Sequence, residues 1–350
     1  NGATQTVSVT VFSTVKGADG IQAASASRNV TDVDTLLSLV AEAEANARGS
    51  AVADDAADLI TGAASADWDE AAEDAPVAAF SDIAHWLGDI FGSARAADQG
   101  RYGYAEHSVA TTYLGSSTGL RRRHAQPAVR LELTGRSGDG KRSAWSGQAT
   151  SEISQLDLAS VEADVAKRLG WSERQISLEA GRYETILPPS AVSDLMIYAY
   201  WSSGALDAHE GQSVYSAPGQ STRVGERLSD LPITLRSDPS MKGQLAVPFV
   251  ATGSSSRMAS AFDNGAPVEA TEWISDGTLA ALIQTRHSAE LTKLPFTPFG
   301  DNLELTAPGG TASVDDLVAA TERGLLLTCL WYIREVDPQT LLLTGLTRDG

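Results

Sequence analysis

The closing run, GLLLTCLWYIREVDPQTLLLTGLTRDG from Gly324 to Gly350, constrains the fold more than any other stretch. Leu325 to Ile333 is apolar without a turn residue, too short to cross a bilayer and long enough for a buried strand. A loop at Asp337-Pro338, a second strand over Leu341 to Leu343 and a turn bearing Thr347, Arg348 and Asp349 follow. A strand that is apolar throughout needs cover on both faces. With 350 residues and a hydrophobic fraction of 42%, the chain can bury a sizeable core, and its length suits two domains.

The rest of the chain reads as strands joined by turns, with helices between. Val7, Val9 and Val11 alternate with Thr6, Ser8 and Thr10, and Gly17-Ala18-Asp19-Gly20 turns the chain into a second strand. A helix is expected from near Thr31, with Asp34 in a capping-box position, through Leu36, Leu37 and Val40 to a stop at Gly49. Ala51 to Asp74, rich in alanine and acid, reads as a mobile surface segment. Ile83, Trp86, Leu87, Ile90, Phe91 and Ala94 take helical spacing after a Ser81 cap, with His85 off the stripe. Several strands are expected between Glu106 and Gln148, turning at Ser137-Gly138-Asp139-Gly140, with Val129, Leu131 and Leu133 alternating. An Asp157-capped helix carries Val161, Val165 and Leu169, and Ile176 to Leu178 begins another strand.

Ala180-Gly181 marks the expected domain boundary, giving domains 1–180 and 181–350. The second opens with Ile186-Leu187, Pro188-Pro189 and a Ser190-capped helix holding Leu195, Met196, Tyr198 and Trp201. Trp273-Ile274 and Leu279 to Ile283 flank Ser275-Asp276-Gly277, a hairpin signature, and a helix from Ser313 to Arg323 stops at Gly324. Strands outnumber helices and connect mostly through turns. The expected class is therefore α+β, with mainly antiparallel sheets and packed helices.

Charge and cysteine usage bound the partners. A net charge of -19 repels phosphate backbones, so nucleic acid is not an expected ligand. The one basic run, Arg121-Arg122-Arg123-His124, has no helix-turn-helix or zinc-finger context and reads as a solvated strand end or a local charge pair. No apolar stretch reaches membrane-spanning length, so no membrane partner is expected. The single cysteine, Cys329, cannot form an internal disulfide, which fits a reducing compartment, the cytoplasm by default. Inside its apolar run it reads as an inert core residue rather than a nucleophile or metal ligand. Gly253-Ser254-Ser255-Ser256-Arg257 is a loop and not a nucleophile elbow.

Zinc hydrolysis on a helix needs two imidazoles on one face with a glutamate beside them. His209-Glu210 is the one His-Glu pair, but Ser213 and Val214 stand where the second imidazole would be, and Gly211 is a poor helix residue. The pair is expected in a loop, with no metal bound.

Taken in order, RYETILPPSAVSDLMIYAYWSSGA from Arg182, GERLSDLPITLRSDP from Gly225, FDNGAPVEATEWISDGTLAALIQTRHSA from Phe262 and the closing run resemble the TldD/PmbA family. YGYAEH at Tyr102 and YLGSSTGLRRRH at Tyr113 extend the resemblance more loosely. The family has been associated by name with modulation of DNA gyrase, and it is built around paired subunits that form a zinc peptidase. The chain is similar to its TldE-type subunits, which carry no zinc. The helix opening at Ser190, where TldD-type subunits hold the metal, has no histidine and no glutamate. The resemblance implies a non-catalytic subunit with no cofactor of its own, a TldD-like zinc partner in a heterodimer, and an unstructured peptide as substrate, in leader-peptide trimming or small-protein turnover. It also implies a chain lacking residues at both ends, after opening at Asn1.

The candidate substrate-groove residues are Tyr198, Trp201, Asp263, Arg286 and His287. Tyr198 and Trp201, with Tyr200 between them, line the groove or else serve as core or interface residues. His287, taken to follow a strand end, and Arg286, with its planar fork, suit a peptide carboxylate; a structural hydrogen bond or a surface position is the alternative. Asp263, in Phe262-Asp263-Asn264-Gly265, belongs to the groove or to a turn formed for backbone reasons. The rival to the whole reading is a stand-alone or homodimeric peptide-binding or scaffolding protein.

Overall fold

The computed structural model of the chain describes residues 2–29, 32–347 and 350. Asn1, Thr31, Arg348 and Asp349, named above, lie outside them. The fold is α+β with mainly antiparallel sheets.

Strands β1 (Val9–Lys16) and β2 (Ile21–Arg28) form an antiparallel ribbon, closed by the Gly17 amide donating to Gly20 O at 2.8 Å. Helix α1 (Val33–Gly49) covers it, with Asp32 as N-cap accepting from the Thr35 amide at 2.8 Å. Leu39, Ala43 and Ala47 are buried, whereas Leu37 and Val40 are exposed. A two-stranded ribbon covers only one row of a helix, and the small alanines at i+4 spacing permit the closest approach.

Helix α2 (Ser81–Ala96) continues from a one-turn 3-10 helix, Val77–Phe80. Ser81 is therefore not the cap expected; it is already helical, and its hydroxyl donates to Ala78 O at 2.8 Å. Strands β3 (Gln99–Gly115) and β4 (Arg121–Ser137) pair along their whole length, and β5 (Ser143–Thr150) adds to the second half of β4. The several runs expected here are thus two long strands and one short one. Helix α3 (Leu158–Trp171) is capped by Asp157 as expected, and Val161 and Val165 pack with Ile90 on Leu131 and Leu133. Ile176 to Leu178 is not a strand: both apolar residues are exposed, and two alternating positions without a partner strand hold no ladder.

After β6 (Thr185–Ile186) come α4 (Pro189–Trp201), α5 (Ala205–His209) and the short pair β7 (Ser216–Ala217) and β8 (Ser221–Thr222). Strand β9 (Thr234–Ser237), β10 (Thr271–Ser275), β11 (Thr278–Leu279), helix α6 (Arg286–Thr292) and β12 (Glu304–Thr306) follow, the strands ordered β11-β10-β9-β12. The β10–β11 turn has Asp276 and Gly277 at φ 47° and 77°, the conformation that the Ser-Asp-Gly signature requires. Strand ends at Leu279 rather than reaching Ile283. Tyr200, Leu235, Trp273 and Ile283 form the core of this half.

Helix α7 (Val314–Ala320) has the Ser313–Asp316 capping box and ends three residues before Arg323. The apolar run that follows is not one strand. β13 (Leu325–Leu326) pairs in parallel with β6, the chain leaves the ladder at Thr328 and Cys329, both buried, and β14 (Leu330–Asp337) pairs antiparallel with β15 (Leu342–Thr347). Tyr332 takes φ 51° where the β14–β15 register shifts, and its side chain is 73% exposed. The bulge turns apolar residues outward that an unbroken strand would have buried. Among the described residues no helix is long and apolar enough to cross a membrane.

Candidate functional site

Helix α4 is stitched to the C-terminal hairpin along one face. Its N-terminus is Pro188 with Pro189 at the first helical position, so Ser190 is not the expected cap; its hydroxyl donates to Thr328 O at 2.6 Å. One turn on, Asp194 accepts from the Leu330 amide at 2.8 Å, and burial raises its carboxyl above the ordinary value of 3.8. One turn further, the Tyr198 hydroxyl donates to Ile333 O at 2.7 Å, and Ser202 donates to Glu335 at 2.6 Å. Residues at i, i+4, i+8 and i+12 share a helix face, so one polar row fixes the hairpin.

Tyr200 points into the core and lines no groove. Its hydroxyl donates to Gly300 O at 3.0 Å and accepts from the Gly300 amide at 2.7 Å, and its ring lies 5.1 Å from Trp273. Burial pushes its phenol well above the ordinary range. Of the two groove candidates on α4, Tyr198 has its hydroxyl engaged by backbone, while Trp201 is half exposed and meets the Tyr198 ring edge-on at 5.4 Å.

The other three candidates lie elsewhere. Asp263 sits in the 3-10 turn Ala261–Asp263, buried, and accepts from Arg286 Nε at 2.6 Å and from the Arg286 amide at 3.1 Å. Arg286 Nη2 donates to Phe262 O at 2.6 Å and to Asp58 O at 2.9 Å. The fork expected to hold a peptide carboxylate thus grips a carboxylate of its own chain. His287 does not follow a strand end; it is the second residue of α6, partly exposed, behind a Thr285–Ser288 capping box.

His209 ends α5 and Glu210 is its C-cap, followed by Gly211 at φ 79°, so only the first residue of the pair is helical. Glu210 pairs with Arg257 Nη2 at 2.5 Å. Ser213 accepts from the Tyr215 amide at 3.0 Å, its own amide donating to Ser216 at 3.1 Å. Among the described residues no three His, Cys, Asp or Glu side chains converge to hold a metal ion.

Two open clefts flank this turn. One, of about 500 Å³, is lined by Asp207, Gln212, Asp337, Pro338 and Gln339. The other, of about 450 Å³, lies against Gly211, Ser213, Val214, Arg223 and Gln339. Gln339 separates them, its Nε2 donating to Gly211 O at 3.0 Å. Gln339 is not among the residues expected at a site from the sequence; its signal is the Asp-Pro-Gln-Thr turn after a strand, a position from which side chains project. Two carboxylates and two side-chain amides line the first cleft, serines, Arg223 and Gln339 the second, and both linings suit a polar ligand.

Residues 180–350 match the family described as the PmbA/TldA metallopeptidase C-terminal domain. No curated protein matches the sequence significantly. Among solved structures, TldE from Thermococcus kodakarensis superposes with a TM-score of 0.64 at 16% identity, over 92% of this chain and 77% of that one. A protein from Bacteroides thetaiotaomicron named for modulation of DNA gyrase gives 0.63 at 14% identity, over 94% and 78%. A likewise named protein from Thermotoga maritima gives 0.63 at 14%, over 88% and 69%. At these identities the likeness speaks for the fold, whereas the domain match speaks for descent: residues 180–350 belong to the TldD/PmbA family as its C-terminal domain.

Proposed function

We propose that this chain is the metal-free, TldE-like subunit of a heterodimeric zinc peptidase in the cytoplasm, and that a TldD-like partner holds the zinc. An unstructured peptide enters between the subunits, adds its backbone to a sheet edge and is cut by the partner. Leader-peptide trimming and turnover of small unfolded proteins are the reactions this reading favours. The chain divides at Ala180-Gly181, with domains 1–180 and 181–350.

Helix α4, where the resemblance puts the metal of TldD-type subunits, holds no histidine and no glutamate, and the observation that carries the reading is that the one His-Glu pair, at the end of α5, supplies no substitute site. The residues there do not fit zinc: the helix stops at His209, Gly211 takes a left-handed φ of 79°, and Ser213 and Val214 follow. Even a histidine at Ser213 would leave the helical face on which the two imidazoles must stand together. Glu210, which would activate the water, is paired with Arg257.

The partner surface is the β14–β15 hairpin, where Trp331, Tyr332, Val336, Leu342 and Leu346 expose apolar side chains, and Trp201 at the end of α4 is half exposed as well. Nucleic acid is not its ligand. Arg123 of the one basic run is buried and paired with acidic residues, and the net charge is -19.

Elemental analysis of the purified chain tests the metal assignment. Less than about a tenth of an equivalent of zinc is expected, unchanged in His209→Ala. One tightly held zinc per chain, lost in that variant, would overturn it.

A further inference from the structure

Residues 51–74 form no helix and no strand, yet they are held at many points along their length. At one end the segment meets the C-terminal half: Arg286 Nη2 donates to Asp58 O at 2.9 Å, and the buried Ser260 donates to Asp55 at 2.6 Å. In the middle it meets the turn between β3 and β4. Thr118 donates to Ile60 O at 2.7 Å, Arg122 to Ala63 O at 2.8 Å, and the Ser65 amide to Arg121 O at 3.0 Å.

At the far end it crosses the face of the β3–β4 ribbon. Arg123, buried, donates through Nη2 to Ala71 O at 2.8 Å and stands 3.3 Å from Asp67, 3.8 Å from Glu70 and 3.6 Å from Glu73. Tyr113 donates to Glu70 O at 2.5 Å, and the Glu73 amide to Thr111 at 3.2 Å. Side chains of the ribbon and of the C-terminal half thus satisfy backbone carbonyls that a free loop would leave to water. Leu120, in the ribbon turn, is fully buried; a Cβ on Gly265 would collide with it, and one on Gly62 would press tightly against it. Ribbon, segment and C-terminal half therefore meet at one packed point.

We propose that residues 51–74 are a two-ended latch that locks the β3–β4 ribbon onto the C-terminal half, with Arg123 as the releasable end and Arg286 as the fixed end. The carboxylates at the two ends differ in solvation. Glu70 and Glu73 are more than half exposed, so salt screens their attraction to Arg123, whereas Asp263, which fixes Arg286, is buried. Ionic strength accordingly frees one end and leaves the other in place. The inference is independent of the peptidase reading.

Trp68 reports on the releasable end, its ring edge-on to Tyr113 at 5.7 Å and beneath Arg121 at 5.6 Å. Leu59 reports on the fixed end. Under native conditions, chymotrypsin is expected to cut the full chain after Trp68 about tenfold faster in Arg123→Met than in wild type, with cutting after Leu59 unchanged. Added salt of about 0.5 M is expected to speed the Trp68 cut in wild type and not in the variant. If Arg123→Met loses its circular-dichroism spectrum, the triple variant Asp67→Asn, Glu70→Gln, Glu73→Gln decides, since these side chains lie outside the core. Equal rates in wild type and variant, a wild-type rate indifferent to salt, or Leu59 opening together with Trp68 would overturn the latch.

Discussion

Asp194 shows how a single side chain can be both a structural fastening and a liability. Its carboxylate accepts the Leu330 amide, but burial is the larger effect and raises its pKa above 3.8. The folded chain then binds this proton more tightly than the unfolded chain does. Stability due to this group is lost as pH rises through the raised value, and is recovered as pH falls through it towards the ordinary one. Asp194→Asn keeps an acceptor for the amide and removes the charge. We expect the variant to be at least as stable as wild type at neutral pH, with its advantage shrinking as pH is lowered to about 4. Melting temperatures of both proteins across that range check this; a difference independent of pH would show that the raised pKa carries no stability.

At the scale of elements, the β10–β11 hairpin was legible because its turn chemistry is local. Gly277, at φ 77°, faces the carbonyls of Ser229 and Leu231, which a Cβ would strike. Gly277→Ala is expected to cost about 3 kcal/mol, against about 1 kcal/mol for Gly309→Ala, which has φ 87° but open space around it. Chemical denaturation of the two variants compares them directly, and equal costs would remove the steric part of the argument. The caps at Asp157 and Ser313 were legible for the same local reason. The polar row of α4 was not, because its partners lie far along the chain: Ile333 is 135 residues beyond Tyr198. Ser190, Asp194, Tyr198 and Ser202 look like a solvent face until the hairpin is laid against them. The outward turn of Tyr332 was hidden too, since a bulge leaves no signature in an apolar run. Of the candidate groove residues, Asp263 and Arg286 were recognised as special, but sequence could not distinguish a fork waiting for a ligand from one already closed on its own chain.

Across the whole molecule, the acidic segment read as mobile proves to be pinned to both halves, because alanine and acid give no apolar pattern even where backbone carbonyls are heavily bonded. The family domain covers residues 180–350, and the hairpin that ends it exposes a group of apolar side chains. A surface of that kind, on a chain whose one His-Glu pair lies at a broken helix end, is the basis for assigning it a partner with the metal. The decisive measurement is hydrolysis of an unstructured peptide by a TldD-like zinc subunit while this chain is titrated in. The account predicts no cleavage by this chain alone and a rate that rises until the two subunits are equimolar, then levels off. Cleavage by this chain alone, or a rate unaffected by adding it, would contradict the account.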